Sequence, residues 1–328
     1  MRDIFDMQRD DYDSVIDLTS FEPGKLATDR VDQHFSVLDD RNQIRARCSI
    51  WWRNCARVGP ATTGLIGHYA ATDEDYGQVL LGHACRELRN RHCDIAVGPM
   101  DGSTWKSYRF VTKRGHARPF FLEPDNPDEW PTHFERHGFQ PLARYVSEIN
   151  PHMSSRQPEL GDLRNKMLYQ CISIASLDKE DPAGELDGIY AVVRESYTNA
   201  FMYTPLEREC FSHMYAPLLC EVDPRLVLLA KQHGEVVGFV FAPPDLLQKN
   251  YQERIDAIVI KTVAILPRKE LSGLGRVLLV DMLQNAVSMG FTTAISALMH
   301  TENRSQKISS ACAGPMREYS LYAKGLHQ

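Results

Sequence analysis

Two glycines after a buried strand are the residues best placed to bind an anion. The apolar, β-branched residues 263–266 predict a strand that Pro267 ends, and Gly273 and Gly275 follow in a short polar loop. Apolar residues then recur at helical spacing from position 279 onward. Glycine permits close approach of the backbone, and a helix N-terminus attracts negative charge. This strand–loop–helix layout therefore predicts a site for a phosphate or pyrophosphate.

A second group of residues has the composition of a small-molecule pocket. Segment 98–110 mixes aromatic rings with polar groups: Trp105, Tyr108 and Arg109 lie within it, and Glu123 follows. Rings supply contact area, and a few charges orient a ligand. One interpretation assigns these four residues to an acceptor site shared between two domains. The alternative is that the segment packs a domain interface.

Three further side chains have groups that move protons. His300 follows an apolar strand, and a histidine of ordinary pKa is a suitable base. Tyr319 and Tyr322 alternate on the last predicted strand and carry hydroxyl donors. For each of them the alternative is an exposed or packed side chain without a catalytic role. The eight cysteines are scattered, no metal-ligand spacing is present, and no metal is expected.

The elements that must position these residues follow one order in the C-terminal half. The pattern predicts a hairpin over 226–241, a strand over 257–266, a helix over 275–289, a strand over 293–298 and a final strand near 319–322. The N-terminal half repeats this order as far as a strand near 95–97. Its strand-to-helix loop differs, because Asp73, Glu74 and Asp75 would repel a pyrophosphate. The predicted domains are 1–150 and 165–328, joined by a proline-flanked linker over 151–164.

Composition limits the class of protein. The chain has 328 residues, a net charge of −6 and a pI near 6.1, which argues against general binding to nucleic acid or anionic membranes. No apolar run approaches the roughly 18 residues that span a bilayer. Scattered cysteines without a secretion signal favour reduced thiols in the cytoplasm. The expected partner is a small molecule, and association into a homodimer stays open.

The C-terminal half resembles the GNAT superfamily of acyl-CoA-dependent N-acyltransferases. The family's loop motif, Arg/Gln-x-x-Gly-x-Gly/Ala, stands here as residues 270–275, with both glycines matched and the first position replaced by Glu270. The N-terminal half resembles the family more faintly. The resemblance implies an α/β fold of the α+β type: two tandem domains, each a mixed, mostly antiparallel twisted sheet flanked by helices.

The resemblance also implies a co-substrate, acetyl-CoA or another acyl-CoA. Backbone amides of the loop would bind its pyrophosphate, cationic side chains would assist, the strand end would hold the pantetheine arm, and an asparagine past the next strand would contact CoA. The residues at those positions are Leu271, Ser272, Gly273, Leu274, Gly275 and Arg276 for the amides, Lys269 and Arg276 for the charges, Ala264 and Ile265 for the strand end, and Asn303.

The family builds its acceptor pocket on the segment that here carries Glu195, Tyr197 and Tyr203. A carboxylate at Glu195 would attract an acceptor amine; the alternative is a solvated Glu195 with packed tyrosines. The family's usual base and acid do not match, because those positions hold Val259 and Ser310. Direct attack of an amine on a thioester tolerates this loss, since orientation and carbonyl polarisation supply most of the catalysis.

The favoured hypothesis is an N-acyltransferase that moves an acyl group, acetyl by default, from CoA to the amine of a small molecule. Its C-terminal domain would bind acyl-CoA, and a degenerate N-terminal domain would shape the acceptor site. Two alternatives stay open. One is a CoA-binding regulatory or scaffold protein without turnover, and the other is a GNAT-fold enzyme acting on a carrier-protein or malonyl thioester.

Overall fold

The computed structural model describes residues 3–6, 21–153, 160–251, 254–302 and 313–327. Strands and helices alternate along these ranges. The strands are β1 (Asp3–Asp6), β2 (Gln33–Leu38), β3 (Ile44–Trp51), β4 (Thr63–Ala71), β5 (Ile95–Gly98), β6 (Phe110–Lys113), β7 (Gln140–Asn150), β8 (Ile172–Ser176), β9 (Val227–Gln232), β10 (Glu235–Phe241), β11 (Ala257–Ile260), β12 (Thr262–Ile265), β13 (Thr293–His300) and β14 (Gly314–Gly325). The helices are α1 (Gly24–Thr28), α2 (Glu74–Asn90), α3 (Trp130–Arg136), α4 (Gly161–Tyr169), α5 (Pro182–Ser196), α6 (Arg208–Glu221) and α7 (Leu274–Ser288).

The strands form two mixed sheets. The larger has ten strands in the order β1-β2-β3-β4-β5-β14-β7-β13-β11, with β6 also paired to β14. The smaller has the order β12-β10-β9-β8. Most pairs are antiparallel, while β4–β5 and β11–β13 are parallel. α2 packs on the strands of the N-terminal half, and α5 and α7 pack on β10. The predicted fold class, mostly antiparallel sheets flanked by helices, is confirmed.

The last strand of the chain lies in the middle of the larger sheet. β14 pairs with β5 through Tyr322 and Gly98, and with β7 through Tyr319 and Tyr145. β7 belongs to the N-terminal half, yet its other edge pairs with β13 of the C-terminal half. Strand pairing therefore crosses the predicted linker at 151–164, and the two halves share one continuous sheet.

The strand predicted over 257–266 is two strands, and the single-strand prediction is wrong. β11 runs parallel to β13 as far as the pair Ile260–Ser296, whereas β12 pairs antiparallel with β10 in the other sheet. Lys261 lies between them, where the chain leaves one sheet for the other. The reason is the divergence of the two partner strands, β13 and β10, which one straight strand cannot follow.

The core of the C-terminal half holds α7 against the smaller sheet. Leu274, Leu278, Met282 and Ala286 recur every four residues on this helix and have no exposed surface. Burying a side chain of the size of leucine or methionine stabilises a protein by about 1.5–3 kcal/mol. This row of contacts fixes the N-terminus of α7 beside the end of β12.

Candidate active site

The N-terminus of α7 leaves backbone donors free. Gly273 precedes the helix in the left-handed region, with φ of 97°, and no side chain caps the helix. Among the described residues, the N–H groups of Gly273, Leu274 and Gly275 have no acceptor, while the amide of Arg276 bonds to the carbonyl of Gly273 at 3.1 Å. Three free amides at the positive end of a fifteen-residue helix form an anion-binding arrangement.

The structure narrows the predicted set of loop amides. The amide of Leu271 donates to the carbonyl of Arg268, and that of Ser272 donates to the carbonyl of Lys269, because residues 269–271 form a 3₁₀ turn. These two amides, predicted as anion donors, are therefore already used. Lys269 and Arg276, which flank the free amides in the sequence, are exposed.

One edge of β12 is unpaired among the described strands. β12 pairs only with β10, and the amide of Leu266 continues that ladder by donating to Val237. In an antiparallel pair the backbone groups of alternate residues face alternate sides. Ala264 therefore faces β10, whereas Val263 and Ile265 face the open edge. The prediction that Ile265 bonds to the pantetheine arm remains a proposal. Ala264 cannot take that role, because its backbone groups pair with β10, and Val263 takes its place in the proposal.

A cavity of about 600 Å³ opens where β11, β12 and β13 diverge. Its wall comes from both halves of the chain and is rich in aromatic rings. The lining residues include Thr104, Trp105, Lys106, Tyr108, Arg109, Glu123, Tyr145, Tyr197, Phe201, Tyr203, Met214, Tyr215, Phe241, Lys261, Thr262, Leu298 and His300.

Most of the predicted pocket residues meet in this cavity. Trp105, Tyr108 and Arg109 line it from the N-terminal half, with Glu123, and Tyr197, Tyr203 and His300 line it from the C-terminal half. Glu195 does not line it and is exposed on α5, since its side of the helix faces solvent. Asn303 and Ser310 lie outside the described residues.

Trp105 joins the two halves at the cavity wall. Its indole N–H donates to the carbonyl of Thr204 at 2.9 Å, and its ring lies 5.9 Å from that of Tyr203 and 6.0 Å from that of Phe211. Trp105 thus packs the interface, as the alternative interpretation of segment 98–110 predicted, and it also lines the cavity, while its assignment to an acceptor site stays a prediction.

Two cations, Arg109 and Lys261, line the cavity. The guanidinium carbon of Arg109 lies 3.9 Å from the ring centre of Tyr108 and 4.1 Å from that of Tyr145, and these two rings are perpendicular to each other. Arg109 is 7% exposed. Burial and the nearby charge of Arg109 lower the pKa of Lys261 to about 8. Tyr145 and Lys261 were not predicted from sequence, although Lys261 is the one charge in the apolar run 257–266.

The carboxylate of Glu123 already has partners within the protein. Its Oε1 lies 2.8 Å from Nε of Arg317, and both side chains are almost fully buried. The hydroxyl of Tyr319 also donates to Glu123 and lies 3.0 Å from Oγ of Ser147. Burial raises the pKa of Glu123 and, with the nearby carboxylate of Glu123, that of Tyr319. Tyr319 is therefore a buried hydrogen-bonding residue behind the cavity wall.

The other two predicted proton-transfer residues also have defined partners. Nδ1 of His300 accepts the amide N–H of Glu302 at 3.1 Å, so the neutral ring carries its proton on Nε2 and offers a donor there. Burial lowers the pKa of His300. Tyr322 is 1% exposed in the core of the N-terminal half and donates to Glu135 at 2.8 Å. The structure does not bring Tyr322 to the cavity.

The N-terminal half fills its own version of this cleft. β4 and β5 pair in parallel as far as Leu65 and Val97, and beyond that pair the amide of Met100 donates to the carbonyl of Ile66 at 2.9 Å. A Cβ on Gly67 would lie 2.3 Å from the carbonyl oxygen of Met100, so only glycine allows this approach. Asp73 caps α2 by accepting from the amide of Tyr76, which places a carboxylate where an anion would bind.

Within the described ranges, no helix is long and apolar enough to cross a membrane. No group of three or more candidate metal ligands is found in the same ranges.

Comparison with solved structures shows that the chain has the GNAT fold in its tandem form. It aligns with a GCN5-related N-acetyltransferase from Sphaerobacter thermophilus over 94% of this chain and 87% of that one, at 13% identity and a TM-score of 0.52. A tandem GNAT protein from the clavulanic acid biosynthesis pathway aligns over 100% and 99%, at 8% identity and a TM-score of 0.54. A GCN5-related N-acetyltransferase from Kribbella flavida aligns over 99% and 71%, at 11% identity and a TM-score of 0.52. No family model and no curated protein matches the sequence.

Proposed function

We propose that this protein is a CoA-dependent N-acyltransferase that moves an acyl group, acetyl by default, to the amine of a small molecule in a ternary complex. The observation that carries the proposal is the continuity of three features in the C-terminal half. The free amides of α7, the open edge of β12 and the shared cavity follow one another along residues 275 to 261. An extended molecule with a pyrophosphate at one end and a reactive group at the other fits this path.

The residues present fit CoA. The amides of Gly273, Leu274 and Gly275 would bind the pyrophosphate, with Lys269 and Arg276 beside them. The edge groups of Val263 and Ile265 would pair with the amides of the pantetheine arm, as a further strand pairs with a sheet edge. Acyl-CoA supplies a thioester carbonyl as the group to be attacked.

The chain's own contribution to the reaction is orientation and polarisation. The cavity walls would hold the acceptor amine next to the open edge of β12, and a backbone N–H at that edge would polarise the carbonyl. Val259, at the position of the family's base, is buried and has no proton to exchange. The amine proton would therefore leave through water. The N-terminal half would shape the acceptor site through Trp105, Tyr108 and Arg109.

A calorimetric titration with CoA tests the binding half of this proposal. We expect one CoA per chain, because Met100 and Asp73 occupy the corresponding places in the N-terminal half. Incubation with acetyl-CoA and a panel of small amines should then release free thiol with at least one amine. Two bound CoA molecules would show that the N-terminal cleft opens. Binding without release for any amine would favour the regulatory protein, which the apolar Val259 also supports.

We expect no single side chain to be indispensable for proton transfer. Where a general acid or base operates, its removal costs about 10²–10⁴-fold in rate. Because water relays the proton here, His300→Ala, Tyr319→Phe and Tyr322→Phe should each lower kcat by about tenfold or less. Steady-state kinetics on the folded variants, with CoA affinity as the control, makes the test. A loss beyond about a thousandfold at one of them, with CoA binding intact, would identify a dedicated catalytic residue.

A further inference from the structure

The cavity contains two cations without a counter-charge. Nε of Arg109 is buried and has no hydrogen-bond partner among the described residues, and its NH1 makes only a 3.5 Å contact with the carbonyl of Leu298. No carboxylate of the described chain forms an ion pair with either Arg109 or Lys261. The remaining charges of the lining are neutralised, because Glu123 is paired with Arg317 and Lys106 with Asp29.

This arrangement favours the binding of an anion. An unpaired charge held away from water is destabilising, and two nearby cations repel each other. Burial and, after it, the charge of Arg109 lower the pKa of Lys261. An anion between the two groups would remove both costs. The guanidinium contacts the rings of Tyr108 and Tyr145, which lie perpendicular to each other, and the N–H edge that carries Nε has no hydrogen-bond partner among the described residues.

A carboxylate matches that edge better than other groups an amine acceptor carries. The guanidinium is planar and donates two parallel hydrogen bonds to the two oxygens of a carboxylate, and an ammonium group adds a point charge. The lining also holds four aromatic side chains, Trp105, Tyr197, Tyr203 and Tyr215. Such walls bind an aromatic body through ring contacts.

We propose that the acceptor is an amino acid with an aromatic side chain, whose carboxylate is bound by Arg109 and Lys261. The inference rests on the proposed function and names the substrate class of that site. It also accounts for the missing base. Two nearby cations lower the pKa of the acceptor's ammonium group, so the neutral, nucleophilic amine is favoured without a carboxylate to accept its proton.

Three ligands that differ by one group test the proposal by calorimetry on the full chain loaded with CoA. L-phenylalanine has both groups, 3-phenylpropionate lacks the amine, and phenethylamine lacks the carboxylate. We expect the two carboxylates to bind at least ten times more tightly than phenethylamine. Equal affinities, or no binding of either carboxylate, would overturn the inference.

The variant Lys261→Met removes one cation and keeps the length of the side chain. We expect 3-phenylpropionate to bind at least ten times more weakly, phenethylamine to bind no more weakly, and the melting temperature not to fall, because an unpaired charge is lost. Arg109→Met should give the same pattern of affinities. Lys113→Met is the matched control: it makes the same change in net charge at an exposed side chain paired with Glu318, and it should alter none of the affinities. Unchanged carboxylate affinity in Lys261→Met would overturn the assignment.

Two further measurements separate this inference from the proposed function. If CoA fails to bind the wild-type chain, the proposed function fails, whereas the carboxylate affinities of the CoA-free chain still report on the cation pair. If succinyl-CoA binds more tightly than acetyl-CoA and Lys261→Met abolishes that preference, the carboxylate belongs to the acyl group and the acceptor assignment is overturned. Equal affinities for the two thioesters support the acceptor assignment.

Discussion

Replacing Gly275 with aspartate is expected to weaken CoA binding by on the order of 100-fold or more, which corresponds to ~2.7 kcal/mol. A carboxylate in the first turn of α7 would compete for the free amides and repel the pyrophosphate. The fold should tolerate the change, because a Cβ at this position would lie 3.5 Å from Ile265 and 3.6 Å from Val263, which is ordinary contact. Calorimetry with CoA measures the affinity.

The matched control is Gly275→Asn, which has the same shape without the charge. We expect a smaller loss of affinity for asparagine than for aspartate. Thermal unfolding should show the aspartate variant to be at least as stable as the wild type, since an acidic residue in the first turn stabilises a helix by about 0.3–1 kcal/mol. Gly273 is less suitable, because its φ of 97° and a Cβ 2.6 Å from Leu163 would strain any side chain. If the aspartate variant binds CoA with wild-type affinity, the assignment of the anion site to the N-terminus of α7 is wrong.

Replacing Arg317 with methionine is expected to lower the free energy of unfolding by about 3–5 kcal/mol, because it leaves the carboxylate of Glu123 buried without its partner. The loss should appear in denaturant unfolding at neutral pH. The double variant Arg317→Met/Glu123→Gln should recover part of the stability, because the neutral amide has no charge to compensate. A loss below about 1 kcal/mol in the single variant would show that the pair is not a buried contact.

The pH dependence of that loss has a definite sign. Burial raises the pKa of Glu123 in the folded protein above its ordinary value of 4.5, so between the two pKa values the folded state binds more protons than the unfolded state. Stability from this group is present below the unfolded pKa and falls as pH rises toward the folded one. Without Arg317 the folded pKa rises further. The variant should therefore lose less stability at pH 5 than at pH 8, and the opposite order would contradict the assignment.

Local sequence patterns were enough to predict the glycine loop before α7 and several of the residues that line the cavity. Gly273 is informative because a glycine adopts its left-handed conformation easily, and Gly275 is informative because it lies in the first turn of the helix that follows at once. Trp105, Tyr108 and Arg109 stand in one short segment, so that one inference about the segment covers all three. Tyr322 was predicted on the last strand, but its face of β14 points into the N-terminal core, and the alternation of one strand does not show which neighbours it has.

Features that depend on distant pairing could not be predicted. The break at Lys261 follows from the divergence of β13 and β10, which are separate in sequence from β11. The cation pair joins Arg109 and Lys261 from opposite halves of the chain, and neither residue is unusual alone. The filling of the N-terminal cleft depends on the close approach of the Gly67 backbone to Met100. In the sequence this contact appears only as a glycine, which has many other possible causes.

The position of β14 constrains how this chain is synthesised and folds. Gly98 on β5 pairs with Tyr322 on β14, which is synthesised more than two hundred residues later. The larger sheet therefore cannot close during most of translation. Until then β5 and β7 present open strand edges, which are sites for aggregation. Sequence separation of this size also raises the contact order and slows folding.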